Sequence, residues 1–159
     1  MNQSLRFTLT LIWALTLDAA YARAQATEHA HERALVAIAA AHAVRGPTPP
    51  GRAWIDVSFD SAVARSAGQL PGERLRKRDD VLVCVEESPR GGRCSIMDGE
   101  LVLVVKSVDI EGPTATAVVD VIWIGDPTEG RLAYVRYRVG LTRDKPGWTV
   151  SSHRTLLQS

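Results

Sequence analysis

Residues 131–156 read RLAYVRYRVGLTRDKPGWTVSSHRTL. Ala133, Val135, Tyr137, Val139 and Leu141 fall at every second position, the period of a half-buried strand. Asp144-Lys145-Pro146-Gly147 has the composition of a turn, and Trp148 and Val150 open a further strand running to about Leu156. Upstream, Thr116 to Ile124 sets Ala117, Val119, Val121 and Trp123 on one face and turns through Gly125 to Gly130. Glu100 to Ile110 is strongly apolar and stops at Gly112-Pro113. Consecutive strands joined by short turns predict an antiparallel meander.

The first half reads differently. Thr27 is placed to cap a helix from Glu28 to about Val44, with Glu28 and Glu32 near its positive end. Leu35, Ile38 and Ala39 share a face that Ala34 and His42 extend, and the many alanines permit close approach to a sheet. Gly46-Pro47-Thr48-Pro49-Pro50-Gly51 ends the helix. Trp54 to Phe59 alternates Ile55, Val57 and Phe59 against Asp56 and Ser58, a strand pattern. Residues 61–80 stay open, with short helical turns expected at Ala62–Ala67 and Glu73–Arg78. Val81 to Val85 reads as a strand. The expectation is an α+β domain, an N-terminal helix packed on a curved antiparallel sheet of four to six strands.

Residues 1–26 read as an address. Arg6 precedes an uncharged, mostly apolar run from Phe7 to Leu17, and A-x-A sites follow at Ala22-Arg23-Ala24 and Ala24-Gln25-Ala26. Eleven residues fall short of the roughly 20 a helix needs to cross a bilayer, and suit a signal-peptide core. Cleavage is expected near Ala26, leaving residues 27–159 as one domain in the periplasm or outside the cell. The mature chain would have 133 residues with 17 basic and 17 acidic side chains, a balance that argues against nucleic acid as a partner. No integral membrane segment is expected after cleavage. Cys84 and Cys94 are the only two cysteines. In an exported chain they read as one disulfide, which should contribute about 2.5–3 kcal/mol by loop closure.

The C-terminal stretch resembles the last two strands of NTF2-like (cystatin-like) α+β domains, in which an L-x-R segment turns through Gly into a W-x-V strand. The matching residues are Leu141, Arg143, Gly147, Trp148 and Val150. The resemblance implies a helix, a middle segment and a curved sheet. Many exported bacterial members of that family have no assigned activity, and its active members use an Asp/His pair inside the cone of the sheet.

Few residues announce chemistry. If neighbouring strands pair so that their apolar faces match, Asp120, Arg136 and His153 form a polar row across three strands. That row could bind an anion or position a proton, and as a solvent-facing row it contributes a few tenths of a kcal/mol per pair. His31 and His42 bracket the helix stripe, too far apart for one metal, and His29 would be third from a new N-terminus, a Cu(II) or Ni(II) geometry. The run Arg74-Leu75-Arg76-Lys77-Arg78-Asp79-Asp80 reads as a solvated helical turn. Trp54 and Tyr134 are candidates for an exposed binding surface. The sequence shows no phosphate loop, H-E-x-x-H or Ca loop, and calls for no cofactor, catalytic residue or metal ligand. The expected role is a non-enzymatic binding or interaction module of the cell envelope, its partner an envelope protein or a small ligand. The alternatives are an NTF2-like small-molecule binder or enzyme with a pocket between helix and sheet, and a homodimer through the sheet. Intact mass of protein extracted from its native envelope should show a start at Thr27 and no thiol free to react after denaturation. A start elsewhere, or two free thiols, contradicts this reading.

Overall fold

The computed structural model describes residues 3–85, 93–126, 128–144 and 147–158. The turn segments expected at 86–92 and 145–146 lie outside the described residues. Helix α1 (Gln3–Val44) leads to strand β1 (Ala53–Asp56), then helices α2 (Ser61–Ala67) and α3 (Arg78–Val81). The hairpin β2 (Leu82–Val85) and β3 (Arg93–Ile96) precedes four long strands: β4 (Leu101–Glu111), β5 (Thr114–Asp126), β6 (Arg131–Asp144) and β7 (Gly147–Gln158). The main sheet has five strands in the order β1-β4-β5-β6-β7.

The fold is α+β, as expected, but the sheet is mixed rather than antiparallel. β4 to β7 form the meander, whereas β1 runs parallel to β4, with Ile55 opposite Leu103. The connection from β1 to β4 holds two helices and a hairpin, long enough for a parallel crossover. The β4–β5 turn is Gly112-Pro113, where Gly112 takes φ +59°, a conformation other residues adopt only with strain. Register shifts interrupt β4–β5, β5–β6 and, twice, β6–β7, and such bulges bend the strands that carry them.

Thr27 lies within α1 rather than at its start. The helix continues upstream, so the Thr27 hydroxyl has no free amide to cap and donates to the Arg23 carbonyl at 2.9 Å. Residues 21–29 are exposed, and Ala30 follows as a buried side chain. From there Ala34, Ala37 and Ala41 are fully buried, with Val36 and Ala40 fully buried on the adjoining flank. The buried arc is therefore turned away from Leu35, which is 40% exposed, because α1 is covered by α2 on one flank as well as by the sheet.

Between helix and sheet lie Leu103, Val105, Val119, Val139 and Leu141, each at most 1% exposed. The sheet's other face carries a second, smaller core. Val102, Val104 and Ile122 meet Val81, Leu82 and Ile96 there, and Trp54 and Tyr134 pack at its edge. Cys84 stands opposite Cys94 and the two are disulfide-bonded.

Residues 74–76 are not helical. Leu75 bridges Ile55, and the Ile55 amide and carbonyl bond Arg74 and Arg76 at 2.9 and 3.2 Å, so this segment covers the free edge of β1. Asp56, expected on the exposed side, is 5% exposed. Its carboxylate is satisfied by backbone amides, accepting from Ser58 at 2.8 Å and from Arg78 at 2.7 Å. Ala37→Leu should cost about 1–3 kcal/mol, because added methylenes have no room against the sheet. Leu35→Ala should change stability by less than about 0.5 kcal/mol. Chemical denaturation of both variants checks this; equal losses would mean the helix packs through the other face.

Candidate functional site

The register decides the expected polar row. Asp120 is opposite Arg136, but Arg136 is opposite Leu157 and His153 is opposite Val139. One bulge in β7, at Ser151 between the pairs Leu141–Val150 and Gly140–Ser152, shifts the pairing, so His153 moves to the helix-side face, where its ring meets Tyr137 edge-on at 6.2 Å. Asp120 and Arg136 remain together on the outer face. Arg136 donates from Nε at 2.6 Å and Nη2 at 2.8 Å to the two carboxylate oxygens. Asp120 is buried and the guanidinium half-exposed. The hydrogen bonds to Asp120, and then its charge, raise the Arg136 pKa above the ordinary guanidinium value. With both oxygens and the guanidinium fork engaged with each other, this pair is a structural clamp between β5 and β6.

Trp54 and Tyr134 are half-buried, not exposed. Trp54 Nε1 donates to the Met97 carbonyl at 2.7 Å, and the Arg74 guanidinium lies over its ring at 3.7 Å. Arg74 also donates to the carbonyls of Gly51 and Asp98.

An open cleft of about 740 Å³ lies between α1, the end of β6 and the start of β7. Trp148 and Leu35 supply its apolar surface; Glu28, His29, Arg143 and Asp144 supply charge and polarity. Arg143 holds the wall together. Its Nη1 is 2.8 Å from Glu32 Oε1, and its guanidinium lies 6.0 Å from the centre of the Trp148 ring. Glu32 Oε1 is shielded from solvent and has no aligned hydrogen-bond donor, so the Arg143 charge is what offsets its burial.

Two contacts fix α1 against α2 beside this cleft. His31 Nδ1 lies 3.1 Å from Ser66 Oγ, and Arg33 Nη1 donates to Asp60 Oδ2 at 2.6 Å. Ser66 is buried at the helix contact, which keeps its hydroxyl from any substrate. His42 Nε2 is 2.9 Å from Glu73 Oε1, and Arg45 Nη1 is 3.1 Å from His42 Nδ1. A guanidinium can only donate, so Nδ1 accepts and the ring proton on Nε2 donates to Glu73. His31 and His42 thus each pin α1 to the segment packed against it. Among the described residues, no three His, Cys, Asp or Glu side chains gather as a metal site.

Asp60 caps α2 by accepting from the Ala62 and Val63 amides at 2.8 and 3.3 Å. Those amides, Val63 first, with help from Arg33, lower the Asp60 pKa. The sequence reads Trp148 as opening the last strand and names Arg143 only through a resemblance. Leu35 and Glu32 join the cleft because the buried arc of α1 faces elsewhere.

Comparison with family models, with curated proteins and with solved structures found no match to this chain. A carboxyl with a lowered folded-state pKa stabilises the fold above its unfolded pKa, about 4, and loses that contribution as pH falls through the folded value. Asp60→Asn, which keeps a capping oxygen, should flatten the acid limb of the stability curve. Asp60→Ala should cost about 1 kcal/mol at neutral pH. Urea titrations between pH 2 and 7 check both; an acid limb unchanged in Asp60→Asn contradicts the assignment.

Proposed function

We propose that this chain is an exported, non-enzymatic binding module of the cell envelope, NTF2-like (cystatin-like) in architecture, that takes its ligand in the cleft beside Trp148. The observation that carries the reading is where the polar groups are. The space between α1 and the sheet is occupied by aliphatic side chains. The buried carboxylates Asp56 and Asp120 belong to the outer face and are satisfied there by amides and by Arg136. An acid–base pair working inside the fold would need a histidine and an acid facing each other in the helix–sheet interior; among the described residues Glu32 is held at the cleft wall by Arg143 and His153 is exposed at the edge strand against Tyr137.

The cleft, by contrast, combines an aromatic face, an exposed leucine and charges of both signs. That lining suits a small ligand with an apolar face and polar edges. Export is supported by the bonded cysteines and by an apolar N-terminal run of signal-peptide length. No described helix is long and apolar enough to cross a membrane.

A fragment screen by ¹H–¹⁵N NMR on the chain from Thr27 onward tests the reading. Bound fragments should shift the Trp148 indole and the amides of Glu32 and Leu35. Leu35→Ser, on the exposed side of the helix, should weaken the best fragment roughly tenfold. Fragments whose shifts centre on Val36, Leu103 and Val119 would instead favour an NTF2-like binder or enzyme with an internal pocket.

A further inference from the structure

The outer face of β6 and β7 holds a pair of like charges. Along β6, Val135, Val139 and Leu141 are buried against the helix side, so Arg136, Arg138 and Gly140 face outward. The register sets Arg138 directly opposite Arg154 on the edge strand β7. Side chains on directly opposed residues stand about 5 Å apart at Cβ, and like charges there destabilise the sheet. Both arginines are exposed. Among the described residues neither has an ion-pair or hydrogen-bond partner. The row on one side is Asp120, Arg136 and Leu157, in which Asp120 is already taken. The row on the other side is Asp109, Thr116, Gly140 and Ser152, with Asp109 two strands away from β6.

We propose that Arg138 and Arg154 form a binding site for a phosphate group on the outer face of the sheet. Asp120 shows what one carboxylate does on this sheet: it is filled by one guanidinium, fork to fork. Two adjacent guanidinium forks match an anion with two oxygen edges and up to two charges, which a tetrahedral phosphate has and a carboxylate lacks. A hydroxyl donor is adjacent. Ser152 Oγ sits over Gly140, so close that any Cβ at 140 would lie 2.7 Å from it. The absent side chain leaves a floor one row from the arginine pair. The site lies on the opposite face from the cleft and does not depend on the reading given for it.

The experiment is thermal unfolding of the disulfide-intact chain, with Arg138→Thr and Arg154→Thr, in sodium phosphate and in sodium chloride at matched ionic strength and pH. Phosphate at ten times its Kd should raise the wild-type Tm by about 5 °C over chloride, and each substitution should remove most of that rise. In chloride both variants should be at least as stable as wild type, since the repulsion is gone; this separates a lost site from a lost fold. Co-sedimentation with phosphatidylglycerol vesicles distinguishes the sources. Vesicle binding that both substitutions abolish assigns the phosphate to a lipid headgroup, and a Tm response without vesicle binding assigns it to a soluble phosphate. Equal wild-type Tm in phosphate and chloride with no vesicle binding, or responses that survive both substitutions, overturns the proposal.

Discussion

The contact between the alanine stripe of α1 and the aliphatic face of β4–β6 is what the rest of the structure depends on. Ala34, Ala37 and Ala41 are fully buried. Side chains this small lose no rotamer entropy on burial and let the helix axis sit close to the sheet. Leu103, Val105, Val119, Val139 and Leu141 then fill the gap. Close approach leaves the interior to packing, and among the described residues the buried carboxylates Asp56 and Asp120 lie on the outer face while Glu32 and His29 line the cleft. The functional reading follows from that displacement of polarity.

β5 and β6 were legible because their apolar residues alternate over many positions, and they pair in the register that alternation requires, Asp120 against Arg136, while β4 shows itself as a nearly continuous apolar run. His153 was not, because one extra residue, Ser151, bulges out of β7 ahead of it. A bulge flips the side-chain faces beyond it, and nothing in T-V-S-S-H-R announces one. The segment 74–76 was misread for a related reason. Its charges suggest a solvated helical turn, yet its backbone is committed to covering β1 and Arg74 to Trp54, both distant in sequence. Asp56 shows the same limit, since alternation marks it as exposed until the amide of Arg78, 22 residues on, supplies a partner. Cys84 and Cys94 could be paired from count and compartment alone. The cleft could not be foreseen from periodicity, because Leu35 looks like part of the stripe until α2 is placed on the other flank.

The outer face has its own logic. The hairpin and α3 cover Val102, Val104 and Ile122, and the Asp120–Arg136 clamp stands at the margin of that cover. Beyond it, toward the edge strand, the sheet presents Arg138, Arg154 and Leu157 to solvent. β1, at the other edge, is capped by the chain's own residues 74–76. The two edges are therefore unlike: one is closed by the fold, and the other is bulged, cationic and open.

Xenon under pressure tests the central contact most directly, because it enters dry apolar cavities. A crystal or solution of the chain from Thr27 onward, exposed to xenon, should show no site between α1 and the sheet, with any signal confined to the surface cleft beside Trp148. Ordered xenon among Val36, Leu103 and Val119 would contradict the account, since it would reveal an internal chamber where packing is argued to leave none.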